Sequence, residues 1–339
     1  MSIHSDIWSV MTSSGDNIII AGHVDPDGDC IGSCFALAHA LAFFGKKPVI
    51  LHDNYPARYD YLAGAGHSVS EIRSDTELLT HVSGRDYLHS GDTNGLKCDV
   101  FVVVDCGDKK RLSARSLLMF ESCPITINID HHISNDNFAK HNLVDSAAPS
   151  TCEIIYRLII GTSVPITTDI ASALYTGIVC DTGSFRFSNT TPETLEIAAH
   201  LMRTGIKHQN IQQAVFHRTK GAVAAVGLCV RNMSFLEGYP ITYSIMASED
   251  LKKAGINTSD LSDLAAFLRN VEGIDLSITF SERPDGRVKV SLRSITADVN
   301  AIASRFGGGG HINAAGALIE GKMDEIVKNV LEQAKAAFA

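Results

Sequence analysis

The chain has 339 residues, which exceeds the usual size of a single hydrophobic core, so we expect two domains. Its 45% hydrophobic and 20% charged residues are typical of a globular protein, while the net charge of −9 argues against a broad basic face that tracks long nucleic acid. The sequence has no signal-peptide pattern and no apolar stretch of ~18 residues, so we predict a cytoplasmic protein without membrane contact.

The first half of the chain alternates short apolar runs with helical patterns. Wholly apolar runs suit strands that are buried on both faces of a parallel sheet flanked by helices. Such strands are predicted at residues 17–21, 48–51, 100–104 and 125–129. Helices are predicted at residues 31–44 (closed by Gly45), 170–179, 192–202 and 209–215. We therefore predict an α/β domain with a parallel sheet over residues 1–205, followed by a linker region over residues 206–235.

The pattern changes beyond residue 235. Strands are predicted at residues 241–246, 276–280 and 288–293, with a Pro-Asp-Gly turn at 284–286 between the last two. A short helix at residues 300–305, a strand after Gly316 and a final helix from Met323 follow. These elements predict a smaller C-terminal α/β domain with a mixed sheet over residues 236–339, and a cleft between the two domains.

Acidic and imidazole side chains stand directly after the predicted strands and after the helix at 170–179. They lie in the segments HVDPDGD, VVVD, DHH and CDTG. Because the carboxyl ends of parallel strands line one ligand crevice, we expect these side chains to converge there. The predicted metal ligands are His23, Asp27, Asp29, Asp105, His131 and Asp181.

This ligand set is rich in oxygen and contains a minority of imidazole, which favours Mn²⁺ or Mg²⁺ over a structural zinc. The charges of four carboxylates cancel those of two divalent cations, so a phosphate can coordinate both ions without net repulsion. The alternative for each single motif is a turn or a helix cap, and Asp29 fits a cap. The eight cysteines lack disulfide spacing and are expected to be reduced, buried thiols.

Further polar side chains accompany these ligands. Asp25 and Asp108 are predicted to orient ligands or to be solvated rather than to bind metal directly. His132 is predicted to bind the scissile phosphate or to donate a proton to the leaving group, and the alternative is a hydrogen bond that holds Asp130. We assign catalytic roles to His132 and to the ligands Asp29 and Asp105.

The second domain carries the run Gly307-Gly308-Gly309-Gly310-His311. Four consecutive glycines are expected to be poor helix or strand interior, and their N–H groups can approach an anion closely. The alternative is a flexible linker. Arg293, at the end of the preceding predicted strand, offers a forked guanidinium for phosphate.

The segments HVDPDGDCIGS, VVVDCGD, DHH and CDTGSFRF, followed by GGGGHINAAG, resemble the DHH phosphoesterase superfamily with its DHH-associated C-terminal domain. The resemblance covers nearly the whole chain. In its length, its lack of extra domains and its segment HVDPDGDCIGS, the chain is most similar to the NrnA-type bifunctional enzymes. These enzymes combine oligoribonuclease (nanoRNase) and 3′-phosphoadenosine 5′-phosphate (PAP) phosphatase activities.

This resemblance implies two Mn²⁺ ions, for which Mg²⁺ or Co²⁺ can substitute, and the hydrolysis of oligoribonucleotides of about two to five nucleotides to mononucleotides and of PAP to AMP. His23 and Asp27 would bind one ion and Asp105 would bridge. Asp29, His131 and Asp181 would hold the second ion. Nucleotide contacts would come from His132, Arg293, Gly308, Gly309, Gly310 and His311.

Other functions stay open. A RecJ-like single-strand exonuclease usually carries additional nucleic-acid-binding domains, and a cyclic-dinucleotide phosphodiesterase often has membrane segments, although linear dinucleotides remain candidate substrates. An inorganic pyrophosphatase resembles only the N-terminal half of the chain. A non-catalytic nucleotide sensor belongs to a different class, and the complete ligand set argues against it. The sequence leaves open the substrate preference, the cleavage polarity and the oligomeric state, a homodimer included.

Overall fold

The structure is a computed structural model, in which the chain divides into two compact units, Met1–His217 and Arg218–Ala339. It describes residues 3–52, 56–63, 70–73, 77–81, 97–262 and 264–338. Each unit is α/β and contains its own sheet, as predicted. Within the described ranges, no helix is both long enough and apolar enough to cross a bilayer.

A sheet of seven described strands forms the centre of the first unit. In chain order the strands are β1 (Asn17–Ala21), β2 (Lys47–His52), β3 (Ser70–Arg73), β4 (Glu77–His81), β5 (Val100–Val104), β6 (Ile125–Asp130) and β7 (His141–Val144). They lie side by side in the order β4-β3-β2-β1-β5-β6-β7, and neighbours are parallel except for β3 and β4. The strands predicted from the apolar runs correspond to β1, β2, β5 and β6 and are confirmed.

The order of the strands reverses direction between β1 and β5. From β1 the chain proceeds to β2 and β3 on one side, whereas β6 and β7 follow β5 on the other side. In an open parallel sheet, such a reversal leaves a crevice at the carboxyl ends of the two central strands. The ends of β1 and β5 therefore define where a ligand is expected.

Helices cover both faces of this sheet. They are α1 (Ile3–Ser13), α2 (Gly28–Phe43), α3 (Ala114–Ser122), α4 (Thr151–Ile160), α5 (Thr168–Asp181), α6 (Pro192–Arg203) and α7 (His208–Phe216), with 3-10 turns at Ala57–Ala63 and Lys109–Arg111. The sequence patterns predicted α2, α5, α6 and α7, and the structure confirms them, whereas α1, α3 and α4 were not predicted. Helix α2 is buried on nearly all sides because it packs against both α4 and α5.

Alternate side chains of β1 and β5 enter two different cores. Ile18, Ile20, Val100 and Val102 join the core that contains α2, α4 and α5. Ile19, Ala21, Phe101 and Val103 join the core that contains α3. Burial on both faces explains why these runs are wholly apolar rather than alternating.

The second unit contains a mixed sheet whose described strands lie in the order β12-β13-β11-β10-β9-β8. The strands are β8 (Met233–Phe235), β9 (Ile241–Met246), β10 (Leu276–Glu282), β11 (Val288–Ser294), β12 (Gly309–His311) and β13 (Ala314–Ile319). Only the β9–β10 pair among them is parallel. The strands predicted at 241–246, 276–280 and 288–293 are confirmed, and Gly286 supplies the positive φ of +82° in the predicted hairpin turn.

Helices of the second unit are α8 (Lys220–Arg231), α9 (Ser248–Lys253), α10 (Leu264–Arg269), α11 (Val299–Ser304) and α12 (Met323–Ala336), with a 3-10 turn at Thr258–Leu261. The predicted short helix and the predicted final helix correspond to α11 and α12. The region 206–235 contains α7 and α8 and is therefore largely helical.

The glycine run corrects one expectation. Gly309 and Gly310 belong to the edge strand β12, so the expectation that these glycines are poor strand interior is wrong. A Cβ atom on Gly308 would collide with the carbonyl oxygen of Gly316, and one on Gly310 would collide with that of Ala314. Glycine is required here because β12 approaches β13 more closely than a side chain allows.

Candidate metal centre

Six predicted ligands lie at the carboxyl edge of the first sheet. His23 follows β1, Asp105 follows β5, His131 follows β6, and Asp181 is the last residue of α5. The remaining two, Asp27 and Asp29, stand at the N-terminus of α2, which immediately follows the β1 loop. The two strands at the reversal point thus contribute directly to the cluster, as the parallel topology predicts.

The structure brings these side chains within reach of one another. His23 Nε2 lies 3.7 Å from Asp105 Oδ2, and His131 Nε2 lies 3.5 Å from Asp105 Oδ1. His131 Nε2 is also 3.2 Å from Asp181 Oδ2 and 4.0 Å from Asp29 Oδ2. Metal–ligand bonds of ~2.1 Å at roughly right angles place neighbouring ligand atoms ~3 Å apart. Most of these separations exceed a good hydrogen bond and suit atoms that share a cation.

Asp27 completes the other side of the cluster. Ligand atoms of Asp27, Cys180 and Asp181 all lie within 4.8 Å of one another. The Asp27 Oδ1 atom also caps α2, because it accepts the N–H groups of Asp29 at 3.0 Å and Cys30 at 3.1 Å. The helix cap that the sequence left open for Asp29 therefore belongs to Asp27.

Two of the imidazoles are oriented for metal binding through their second nitrogen. His23 Nδ1 lies 2.7 Å from the carbonyl oxygen of Val24, and His131 Nδ1 lies 3.3 Å from that of Ala148. In the neutral ring, donation from Nδ1 to a carbonyl leaves the lone pair on Nε2, which is the atom that faces the carboxylates. Sequence reasoning did not identify the two carbonyl partners.

Asp29 is held by the N-terminus of α4, a contact that sequence reasoning also missed. Its Oδ2 atom accepts the N–H of Thr151 at 2.7 Å, and its Oδ1 atom accepts the N–H of Cys152 at 3.0 Å. The hydroxyl of Thr151 donates to Asp105 Oδ1 at 3.2 Å. The unpaired N–H groups at a helix N-terminus favour an anion. The pattern Ser150-x-x-Glu153 is a sequence signature of such a terminus and signals this helix start.

Burial and mutual repulsion distort the proton affinities of the cluster. Burial raises the pKa of Asp29 well above its ordinary value, and burial with repulsion from Asp27 and Asp105 raises the pKa of Asp181 to about 7. Burial alone would raise the pKa of Asp105 too, but the surrounding imidazoles outweigh it and lower that pKa to about 2. Burial opposes protonation of His131, yet the neighbouring carboxylates raise its pKa to about 10. The proton affinities of Asp29, Asp181 and His131 are therefore raised wherever no cation balances the carboxylates.

These residues fit bound divalent cations. Four carboxylates and two imidazole nitrogens face one another, and bound cations would remove the repulsion that raises their proton affinity. Cys30 and Cys180 also come within ligand distance. A hydrogen bond with Cys34, together with burial, raises the pKa of Cys30 well above the usual range, and burial does the same for Cys180, so both thiols stay protonated and are weaker ligands than the carboxylates. All eight cysteines are free thiols, none of them fully exposed.

His132 is held differently from the other two histidines. Its Nδ1 atom lies 2.7 Å from Asp130 Oδ1, while Asp130 Oδ2 accepts the side-chain amide of Asn135 at 2.6 Å. The same Asn135 amide donates to Asn128 Oδ1 at 2.7 Å. The hydrogen bond between His132 and Asp130, which the sequence left as an alternative role, is therefore present and fixes the direction of the ring. Its predicted role toward substrate stays a prediction.

Asp25 and Asp108 were not predicted to bind metal directly. Asp25 is exposed and adopts a positive φ of +56° in the β1 loop. The side chain of Asp108 accepts the N–H of Lys110 at 2.9 Å and so caps a 3-10 turn.

In the second unit, two predicted substrate-binding side chains share one cross-strand row. Arg293 of β11 and His311 of β12 both pair with Ala314 of β13, from opposite sides. Residues paired in this way project to the same face of a sheet, and two strand spacings separate them by about 10 Å. The neighbouring row on that face contains Gly309 and Gly316. The sheet surface next to the side chains of Arg293 and His311 is therefore formed by small residues.

The chain matches two protein-family models. The model described as DHH family, N-terminal domain, matches residues 17–178, and the model described as DHHA1 domain matches residues 238–337. Over most of its length the chain is also similar to proteins named bifunctional oligoribonuclease and PAP phosphatase NrnA. It is 33% identical to that of Thermus thermophilus, over 93% of this chain and 88% of the relative. It is 29% identical to that of Bacillus subtilis, over 90% of each.

Solved structures show the same architecture. An exopolyphosphatase-related protein from Bacteroides fragilis superposes with a TM-score of 0.84 and 26% identity, over 98% of this chain and 95% of that chain. The exonuclease RecJ bound to manganese superposes with a TM-score of 0.53 and 14% identity, over 99% of this chain and 95% of that chain. The second likeness concerns the fold alone.

Proposed function

Because this chain belongs to the DHH family, we propose that it is a metal-dependent phosphoesterase that hydrolyses short oligoribonucleotides to mononucleotides and PAP to AMP. The relatives from Thermus thermophilus and Bacillus subtilis carry both activities in their names. The observation that carries the proposal is the meeting of four carboxylates and two imidazole Nε2 atoms at the carboxyl edge of β1, β5 and β6.

We assign two Mn²⁺ ions to this cluster, with Mg²⁺ or Co²⁺ as substitutes. His23 and Asp27 would hold one ion, and Asp29, His131 and Asp181 the other. Asp105 would bridge them, since its two oxygens face His23 and His131 respectively. When bound, the ions would neutralise charge on the phosphate and lower the pKa of water.

The protein groups behind the ligands keep them in place. The N–H groups of Thr151 and Cys152 fix both oxygens of Asp29, and the hydroxyl of Thr151 fixes Asp105. Groups of this kind orient ligands and typically contribute ~10- to 100-fold to metal affinity.

We assign to His132 the transfer of a proton to the leaving oxygen of the substrate. Asp130 binds the Nδ1 side of the ring, which directs Nε2 away from that carboxylate. Burial lowers the pKa of His132, but the hydrogen bond to Asp130 and the charge of Asp105 outweigh burial and raise it. A raised pKa favours the protonated ring, which is the form that a general acid needs.

Nucleotide binding is assigned to Arg293, His311 and the glycines at 308–310. A guanidinium can bind phosphate through two N–H groups. The N–H groups of Gly308 and Gly310 donate to the Ala303 carbonyl at 3.0 Å and to Asn300 Oδ1 at 2.9 Å, so the exposed glycines would contribute close approach of the backbone to the nucleotide rather than N–H donors. These assignments are independent of the metal ligands.

One parallel assay tests the proposal. The purified full chain with Mn²⁺ is given a pentaribonucleotide, a linear dinucleotide, a cyclic dinucleotide, PAP, pyrophosphate and polyphosphate at equal concentrations. We expect mononucleotides from the pentaribonucleotide and the linear dinucleotide, and AMP from PAP. Chelation of the metal should abolish all of these reactions.

The other substrates discriminate the rival functions. Cleavage of pyrophosphate or polyphosphate alone would overturn the proposal, and cleavage of the cyclic dinucleotide alone would replace it with a cyclic-dinucleotide phosphodiesterase. Binding of these nucleotides without any turnover would favour a non-catalytic sensor.

A further inference from the structure

We propose that the side chain of Phe187 is a base-stacking platform that helps this enzyme to select nucleotides over other phosphate esters. The proposal rests on the function proposed above and adds a specificity residue beyond the metal ligands and the nucleotide-binding residues of the second unit. Two phenylalanines stand close together after Asp181, and only one of them packs in the core. Phe185 is partly buried there, with its ring 6.2 Å from that of Tyr175, whereas Phe187 is 46% exposed.

The loop after α5 holds the exposed ring close to the backbone that follows Asp181, a predicted metal ligand. A Cβ atom on Gly183 would collide with the tip of the Phe187 ring, so the ring lies directly against the Gly183 backbone. Gly183 is two residues after Asp181, which limits their Cα separation to ~7 Å. The side-chain amide of Asn189 donates back to the Asp181 carbonyl at 3.1 Å. The ring of Phe187 is therefore held on a short loop whose two ends are tied to the backbone at Gly183 and Asp181.

The loop is rigid enough to present the ring in a fixed position. The backbone N–H of Phe187 donates to the Thr182 carbonyl at 3.0 Å, and the buried Thr182 hydroxyl accepts the N–H of Phe185 at 3.0 Å. Arg186 Nε donates to the Gly183 carbonyl at 2.7 Å. Ser184 and Phe185 have positive φ angles of +59° and +64°, which side-chain-bearing residues rarely adopt. Residues in such conformations cluster at functional sites.

The chemistry of the ligand follows from the position of the ring. A nucleobase is joined through one ribose to the phosphate that the cations would bind, so a flat apolar surface on the loop that follows Asp181 suits a base. Stacking on an aromatic ring tolerates every base and needs no hydrogen bonds. A platform of this kind would favour nucleotides without selecting their sequence. Arg186, on the same loop, supplies a cation next to the platform.

The test compares substrates that differ only in one base. Phe187→Leu is assayed with Mn²⁺ on a linear diadenosine dinucleotide and on its two counterparts that each lack one adenine. We expect the ratio of kcat/KM for the intact dinucleotide over one base-free counterpart to fall about fivefold or more, through KM rather than kcat. Phe187→Tyr should restore the ratio to within about twofold, because a tyrosine ring stacks equally well.

Phe43→Leu is the matched control. Phe43 is 49% exposed and ends α2, about 20 Å from the cluster by the rise of an α-helix, so its loss should leave the ratio unchanged. The proposal is overturned if Phe187→Leu keeps the wild-type ratio. It is also overturned if Phe187→Leu lowers kcat/KM equally for intact and base-free substrates, which would mean that the ring only supports the loop.

A binding measurement separates this proposal from the proposed reaction. Calorimetry compares AMP with ribose 5-phosphate, each with Mn²⁺, on the wild type and on Phe187→Leu. We expect the preference of the wild type for AMP to fall about fivefold or more in the variant. An unchanged preference overturns the platform, even for an enzyme that turns over every substrate. Absence of turnover by the wild type overturns the proposed reaction alone, because the AMP measurement still decides the platform.

Discussion

Two aspartates at opposite ends of the same strand have contrasting environments. Asp99 precedes β5, and its Oδ2 atom accepts the N–H groups of Asp16 at 3.1 Å and Asn17 at 3.0 Å and the side-chain amide of Asn17 at 2.8 Å. Those hydrogen bonds lower the pKa of Asp99. Its charge is satisfied by neutral donors that the fold supplies at every pH.

The negative charge of Asp105, at the other end of β5, is stabilised by groups that are charged only when they are protonated. The three imidazoles of His23, His131 and His132 lie within 3.7 Å of its oxygens. They stabilise its negative charge only while they are protonated. Beyond them stand carboxylates whose pKa values burial raises. Carboxylates that are paired with N–H donors serve the fold, whereas carboxylates that crowd one another indicate a site for cations.

The largest effect should come from the substitution of Asp105, with the same substitution of Asp99 as its control. Asp105→Asn keeps the shape of the side chain but removes the charge that faces both predicted ions, so we expect kcat/KM on the linear dinucleotide with Mn²⁺ to fall about a thousandfold or more. Asp99→Asn can still accept the same N–H groups and should stay within about threefold of the wild type. Equal losses for the two variants would contradict the distinction between the two ends of β5.

A second substitution tests the role of His132. His132→Gln should lower kcat/KM on the dinucleotide about a hundredfold, because the leaving oxygen then lacks its proton donor. On a p-nitrophenyl phosphodiester the loss should shrink to about tenfold or less, since that leaving group needs no proton. His141→Gln at the amino end of β7 is the control. The same loss on both esters would show that His132 does not act on the leaving group.

A smaller effect is expected from the second unit. Arg293→Ala should raise KM for the dinucleotide about tenfold with kcat retained, because a charge-assisted contact to phosphate is lost. Arg287→Ala, in the hairpin turn that precedes the same strand, removes only an exposed pair with Asp285 and should change KM less than about twofold. If both variants behave alike, Arg293 has no special role in nucleotide binding.

The smallest effect is a pH dependence of metal-induced stabilisation. The pKa of Asp181 is raised to about 7 and that of His131 to about 10, so the folded metal-free cluster binds more protons than the unfolded chain in this range. Its contribution to the free energy of unfolding therefore falls as the pH rises from about 5 to about 9. The lowered pKa of Asp105, about 2, acts in the opposite sense, but only below about pH 4.

Because cations displace these protons, saturating Mn²⁺ should raise Tm by at least ~2 °C more at pH 8 than at pH 6. Differential scanning calorimetry of the full chain measures both shifts. In Asp181→Asn the two shifts should become more alike. A larger shift at pH 6 than at pH 8 would mean that the cluster is not protonated as described.

The sequence was informative where one residue type decided the structure. Wholly apolar runs located the central strands β1, β5 and β6, and the Asp and His residues after them lie at one edge of the sheet because parallel strands share their direction. A charged side chain directly after a buried strand has few other places to lie. The part of the site that follows from strand direction was therefore predictable.

The supporting contacts were not predictable from local patterns. Asp29 and Thr151 are 122 residues apart, and their hydrogen bond depends on how α4 packs against α2. The edge strand β12 was missed because four glycines carry no side-chain periodicity, and its pairing is set by close approach to β13. The position of Phe187 likewise depends on the positive φ angles of Ser184 and Phe185. A serine and a phenylalanine in a sequence do not indicate such angles.

The most direct test of the account is the number and position of bound ions. Crystals of the full chain grown with Mn²⁺ and measured at the manganese absorption edge should show two anomalous peaks about 4 Å apart, one near His23 and one near His131, with Asp105 between them. Asp105→Asn crystals should lose at least one peak. A single peak, or ions bound away from these side chains, would contradict a two-metal centre at the ends of β1, β5 and β6.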